Sequence, residues 1–86
     1  MAVDRPTWFA YRQGKVEEAG PNLLKLTGPN LRESYIGIRA GDGGRWSAFV
    51  RHAPDGLDVA ATEVEHATSA EAWAAAFEIY RNAEII

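Results

Sequence analysis

Side chains able to do catalytic chemistry are few in this sequence, and their spacing matches no established site. The two histidines, His52 and His66, are accompanied by three serines and several acids, but by no nucleophile elbow or comparable motif. A metal site would recruit His52 with Asp55 or Asp58 from the following turn, and these residues lack the ligand spacing of known metal sites. We therefore predict that the chain has no catalytic residue, binds no metal and is not an enzyme.

Two further motifs suggest cofactor or acid–base chemistry at first sight. The segment Gly41-Asp42-Gly43-Gly44 is rich in glycine, but it lacks the lysine and the following helix of a phosphate-binding loop and lies where a hairpin turn is expected. The acid pairs Glu17-Glu18 and Glu63/Glu65 would need a cleft that shifts their pKa values, and a domain of 86 residues has little room for one. We predict no cofactor.

A basic and aromatic surface is the strongest candidate for binding. Alternation along Arg45–Arg51 places both of its arginines and Phe49 opposite the apolar set of Trp46, Ala48 and Val50. With the preceding strand paired to it, the face away from the core, here called the candidate face, comprises Tyr35, Arg39, Arg45, Phe49 and Arg51. Interleaved arginines and rings suit phosphate contacts and base stacking. The alternatives are a solvated face on which arginine stems cover Phe49, or one covered by the N-terminal segment or another subunit.

The same region resembles a known DNA-binding family. Tyr35-Ile36-Gly37-Ile38-Arg39 and Gly44-Arg45-Trp46-Ser47-Ala48, followed by an Ala-rich helix opening at residues 68–72, resemble the DNA-binding domain of plant ethylene-response factors and its relatives in phage integrases. The resemblance implies a three-stranded sheet backed by a helix, with DNA contacts from Arg39, Arg45, Trp46 and Arg51. The chain departs from that family at Ile36, where a second base is usual, and in the acidic residues 57–65. We assign no family from it.

Turn signals divide the first two thirds of the chain into segments of strand length. Gly20-Pro21-Asn22 and Gly28-Pro29-Asn30 each place proline and asparagine at the centre of a tight turn, and two glycine-containing loops follow at residues 41–44 and 54–56. The predicted strands are Thr7 to Gln13, Leu23 to Thr27, Tyr35 to Ala40, Arg45 to Arg51 and Leu57 to Glu65.

The hydrophobic period changes to that of a helix after Glu65. Thr68-Ser69-Ala70-Glu71 matches a capping box, and Trp73, Phe77 and Tyr80 recur on one helical face. We predict a helix from Thr68 to about Arg81 that ends near Asn82, followed by a short strand or an apolar strap over residues 83–86. The fold class is therefore α+β: an antiparallel meander of about five short strands followed by one C-terminal amphipathic helix packed on one face.

Composition bounds the remaining possibilities. With 47% hydrophobic and 24% charged residues and no cysteine, the chain predicts one globular domain, residues 1–86, without disulfides or thiolate metal sites. No signal peptide or membrane-spanning run is evident, so we expect a cytoplasmic protein without membrane contacts. The net charge of −3 disfavours a globally basic nucleic-acid binder, but residues 1–51 hold eight of the nine bases, which leaves room for a local basic surface.

These observations predict a small non-catalytic protein-interaction module. Its partner would be another protein or a second copy of the chain in a homodimer, because an open meander leaves unpaired strand edges and aromatic surface that association would cover. The alternative is a small nucleic-acid-binding domain that uses the candidate face.

Overall fold

The sequence builds a five-stranded antiparallel sheet in which strand order follows chain order, with a long helix packed on one face. The structure is a computed structural model and describes residues 6–29, 31–62 and 65–84. The strands are β1 Lys15–Gly20, β2 Leu23–Gly28, β3 Leu31–Ala40, β4 Trp46–Arg51 and β5 Ala60–Ala61, preceded by helix α1 Thr7–Tyr11 and followed by helix α2 Ser69–Glu84. The predicted α+β meander with a C-terminal helix is confirmed.

The β1–β2 hairpin closes through the first of the two predicted proline–asparagine turns. Gly20 pairs with Leu23, so Pro21 and Asn22 form the turn, and Asn22 adopts a positive φ of 56°. Proline fixes φ before the asparagine, which tolerates this left-handed conformation better than most side chains. Gly28 pairs with Leu31 across the second turn in the same way, although Asn30 lies outside the described residues.

The predicted first strand, Thr7 to Gln13, is wrong. Residues 7–11 form α1, and the chain then turns through Gln13, whose φ is 60°, before β1 begins at Lys15. The reason is packing: neighbouring residues Trp8 and Phe9 both contact rings of α2, whereas in a strand they would point to opposite faces. Strand β1 was missed because its charged residues have low strand propensity, which an edge strand tolerates.

Two other predicted boundaries also change. Of the expected strand Leu57 to Glu65, β5 comprises Ala60–Ala61, because residues 52–59 form a loop beside the sheet. Glu63 and Val64 lie outside the described residues. Helix α2 continues past Asn82 to Glu84. The strand or strap expected over residues 83–86 is therefore helical at its first two positions, and Ile85 and Ile86 lie outside the described residues.

The core lies between the sheet and the two helices. Trp73, Phe77 and Tyr80 of α2 are buried, as predicted, in one cluster with Ile38 and Val50, against which Trp46 packs. Phe9 of α1 is fully buried in the same cluster, and its ring lies 5.7 Å from that of Phe77. Thr68 caps α2 as predicted, because Glu71 donates its backbone N–H to the Thr68 hydroxyl at 3.1 Å, and this hydroxyl donates to the Glu71 carboxylate at 3.1 Å.

The sheet therefore has two different faces. The inner face presents Leu24, Leu26, Ile36, Ile38, Ala48 and Val50 to the helices. The outer face, formed by the alternate side chains that point away from the core, is not covered by any helix of the described residues. No helix in the described part of the chain is long and apolar enough to cross a membrane.

Candidate functional site

Three residues of the candidate face come together at the centre of the outer face. Phe49 of β4 lies beneath the guanidinium groups of Arg39 and Arg51, whose central carbons are 4.4 and 4.3 Å from the ring centroid. Tyr35 pairs with Arg51 across the β3–β4 ladder and is also buried. Guanidinium groups stack favourably on aromatic rings, so this arrangement fixes both arginine stems on the sheet.

A glycine on the neighbouring strand makes room for the Phe49 ring. Gly37 pairs with Phe49 across the β3–β4 ladder, and a Cβ atom at Gly37 would overlap the ring. The ring therefore lies down over the glycine backbone, and Phe49 is only 6% exposed although it belongs to the outer face. For a nucleic-acid base to stack on this ring, both guanidinium groups would have to move.

Asp58 joins the two arginines from the loop that precedes β5. Its carboxylate accepts hydrogen bonds from Arg51 Nε at 2.7 Å and from Arg39 Nη2 at 3.1 Å, and Arg51 Nη1 also donates to the Pro54 carbonyl at 3.1 Å. Residues 52–59, here called the clamped loop, are thereby tied to the outer face by side-chain contacts. Burial by itself raises the pKa of Asp58, but hydrogen bonds and charge from Arg51 and Arg39 outweigh it and hold the pKa below its usual value.

The ion pairs of Asp58 with Arg39 and Arg51 were not predicted from the sequence, in which Asp58 was a candidate metal ligand and part of the acidic segment 57–65. The available signal was that residues 52–65 hold acids and no arginine or lysine, while the strands before them are rich in arginine. An acid-bearing segment that follows a basic strand along a meander lies beside it, where the two can pair. The distance of 19 residues between Arg39 and Asp58 hides this pairing from any local motif.

The clamped loop exposes apolar side chains on both sides of Asp58. Leu57 is 90% exposed and Val59 is 49% exposed; among the described residues, Tyr11 is the other large apolar side chain in solvent. Val59 donates its backbone N–H to the Val50 carbonyl at 2.8 Å, which fixes the end of the loop against β4. Leu57 is thus presented to solvent by a segment held on both sides.

The other two residues singled out for DNA contact are not part of this cluster. Arg45 is exposed just before β4 begins, and its side chain forms no hydrogen bond or ion pair with any described residue. Trp46 lies on the inner face, packs against the core and pairs through its backbone with His66. Trp46 and the arginines of the cluster therefore lie on opposite sides of the sheet. The resemblance implies that they contact DNA together, which this arrangement does not allow.

The charges of the outer face nearly balance. Lys25 pairs with Glu33 at 3.2 Å, and the hydrogen bond and charge of Glu33 raise the pKa of Lys25. By strand register the outer face carries the bases Lys15, Lys25, Arg39 and Arg51 and the acids Glu17 and Glu33, to which the clamped loop adds Asp58. These positions carry one positive charge in excess, and the exposed Arg45 just before β4 adds a second, which is a small electrostatic attraction for a polyanion.

A second polar cluster lies where α2 ends. His52 Nε2 contacts Glu84 Oε1, and the Tyr80 hydroxyl is buried with no hydrogen-bond partner among the described residues. Burial, and then the charge of Glu84, raise the pKa of Tyr80. The described chain holds no group of three or more His, Cys, Asp or Glu residues arranged to bind a metal ion.

No protein-family model, curated protein or solved structure matches the chain.

Proposed function

We propose that this chain is a non-catalytic protein-interaction module that binds its partner through the clamped loop and the adjoining outer face. The observation that carries the proposal is the exposure of Leu57, 90%, on a loop whose next residue is held by two arginines. An exposed leucine alone is common on protein surfaces. A leucine whose backbone is held in place by its neighbours has already lost conformational entropy, so that binding a partner costs less entropy.

The chemistry of the surface suits a protein better than a nucleic acid. Leu57 and Val59 offer apolar contact area next to the cation–π cluster, and arginine beside apolar side chains is typical of the energetically dominant part of protein interfaces. Most bases of the outer face have an acidic neighbour, and the Phe49 ring is covered. Both features support a protein partner.

A capture experiment with a matched control tests the proposal. Immobilised wild type, Leu57→Asp and Tyr11→Asp would be exposed to lysate of the source organism, and the retained proteins quantified by mass spectrometry. Tyr11 is the control because it is 84% exposed and belongs to α1 rather than to the clamped loop. Both substitutions should leave the thermal midpoint nearly unchanged, since neither side chain is buried.

The expected result is at least one protein retained by wild type and Tyr11→Asp but strongly depleted on Leu57→Asp. Identical protein sets on all three baits would overturn the proposal. The nucleic-acid alternative has its own test, which is fluorescence anisotropy of labelled single- and double-stranded oligonucleotides at low salt. Binding at about 10 µM protein, a range typical of non-specific binders, that is lost in the Arg39→Ala/Arg51→Ala double variant would favour the alternative instead.

A further inference from the structure

Strand β1 is an edge of the sheet, and no described strand pairs with its other side. Ile38 of β3 donates its backbone N–H to the Asn22 carbonyl at 3.1 Å, so the backbone groups of Asn22 point to β3. Because backbone groups alternate along a strand, those of Lys25 point the other way, to its β1 partner Glu17. The same alternation within β1 turns the N–H and C=O of Val16 away from β2, towards the open edge.

Charged side chains and a bulge limit how another strand could pair with this edge. Lys15 and Glu17 lie on the outer face, and the register between β1 and β2 shifts between Glu18 and Gly20. Natural edge strands use such features against indiscriminate pairing. Here they leave residues 15–18 as the regular segment that a further strand could extend, and the charges of that segment determine which register is favourable.

A second copy of β1 can pair antiparallel with this segment about a two-fold axis. An axis at Lys15, Glu17 or Glu18 would place a charged residue opposite its own copy, and like charges directly opposite each other destabilise a sheet. An axis at Val16 instead places Lys15 of each copy opposite Glu17 of the other. The backbone groups of Val16 face the edge, so the two Val16 residues would exchange two hydrogen bonds. Lys15 and Glu17 would then form non-hydrogen-bonded pairs, in which side chains come closest.

We propose that the chain forms a homodimer through β1, with the two-fold axis at Val16 and two Lys15–Glu17 ion pairs between the copies. The sheets of the two copies then form one continuous sheet. Val16 packs half-buried against the core of its own copy, and in the dimer it also contacts the Val16 of the other. The contact is self-complementary, as a two-fold interface requires. The inference is independent of the proposed function, because β1 and β5 are opposite edges of the sheet and the clamped loop precedes β5.

Charge reversal tests this register directly. Lys15→Glu leaves acids at both outer positions of β1 and Glu17→Lys leaves bases at both, so either variant alone would place like charges opposite each other. Each should self-associate at least about tenfold more weakly than wild type. A mixture of the two variants should form a heterodimer, because every acid then lies opposite a base. The double variant Lys15→Glu/Glu17→Lys should dimerise as wild type does.

Light scattering between about 10 and 500 µM protein covers the weak association expected of a small interface. The mass of wild type should rise from 9.4 kDa towards twice that value. Arg45→Glu is the matched control, because it changes the net charge as Lys15→Glu does at an exposed residue outside β1. Glu17→Lys places a base opposite Lys25 of its own chain, so its thermal midpoint is measured first. If that variant does not fold, Lys15→Glu, which lies opposite Thr27, still decides against the control.

Each contrary result overturns the inference. A constant 9.4 kDa in wild type would exclude the dimer over this range of concentration. A dimer that tolerates Lys15→Glu as well as it tolerates Arg45→Glu would use another surface. Two folded single variants that fail to associate when mixed would show that the register is wrong. A dimer that is dissociated by Leu57→Asp and not by the charge reversals would form through the clamped loop, which contradicts the inference and leaves the proposed function standing.

Discussion

Replacing Gln13 by glycine should stabilise the protein, whereas replacing its neighbour Gly14 by alanine should destabilise it. These residues end α1: Gln13 donates its backbone N–H to the Ala10 carbonyl at 3.0 Å, and Gly14 donates to the Phe9 carbonyl at 3.1 Å. This is the hydrogen-bond pattern of a Schellman motif, in which the left-handed position is usually glycine. Here Gln13 occupies it, with a φ of 60° and an exposed side chain.

The magnitudes follow from two opposing effects. A left-handed conformation costs an L-residue about 1 to 2 kcal/mol, and glycine at this position removes that cost. The greater conformational entropy of glycine in the unfolded chain opposes this stabilisation by about 0.5 to 1 kcal/mol. Gln13→Gly should therefore raise the free energy of unfolding by about 0.5 to 1 kcal/mol. At Gly14 an added Cβ would overlap the ring of the buried Phe9, and overpacking of this kind costs about 1 to 3 kcal/mol.

Urea unfolding followed by tryptophan fluorescence measures both effects in one domain. Gln13→Ala is the control, because it shortens the side chain but keeps the unfavourable φ, and should stay within about 0.5 kcal/mol of wild type. If Gln13→Gly lowers the unfolding free energy, or if Gln13→Ala raises it as much as glycine does, strain at this residue is not the cause. A neutral Gly14→Ala would contradict the tight packing of Phe9 against the turn.

Four further predictions test the core, the clamped loop and the association state. Phe77→Ala should lower the unfolding free energy by about 3 to 5 kcal/mol, as denaturant titration would show, because the side chain is buried in the central cluster. Because the pKa of Asp58 is lowered in the folded protein, its ion pairs contribute stability above the pKa of the unfolded carboxyl, and this contribution is lost as pH falls through the folded pKa. The urea midpoint should therefore fall less between about pH 6 and pH 2 in Asp58→Asn than in wild type. Tyr80→Phe should be neutral or stabilising at pH 7, because the hydroxyl is buried without a partner among the described residues, and should reduce the loss of stability as pH rises above 10, where the raised pKa makes ionisation unfavourable. If open strand edges pair two copies, light scattering should give twice 9.4 kDa at micromolar concentration in wild type and Leu57→Asp alike; a constant 9.4 kDa would reject the homodimer expected from the sequence.

Local sequence patterns were sufficient to predict the central part of the fold. Alternation in β4 correctly separated Phe49 from Trp46 and Val50, and the capping box at Thr68 correctly marked the start of α2. Each of these patterns reports a physical constraint within a few residues. The periodic aromatic residues of α2 were sufficient to identify its buried side in the same way.

The parts that could not be predicted depend on distant contacts. Thr7–Tyr11 is rich in aromatic residues that favour strands, and only the rings of α2, about 70 residues later, make a helix the better arrangement there. The burial of Phe49 depends on Gly37 in the neighbouring strand, and the position of the clamped loop depends on two arginines in separate strands. Alternation therefore placed Tyr35, Arg39, Phe49 and Arg51 on one side of the sheet, but the contacts among them were not foreseen.

The ring contacts between α1 and α2 also bear on how the chain folds during synthesis. Each strand of the meander pairs with the strand before it, so the hairpins can form one after another as the chain leaves the ribosome. Phe9 cannot complete its packing at that stage, because its neighbours Phe77 and Tyr80 have not yet been made. Until α2 (Ser69–Glu84) docks, the nascent sheet exposes most of its apolar inner face, so we expect the synthesis of this helix to be the step that closes the core and ends the period of greatest aggregation risk.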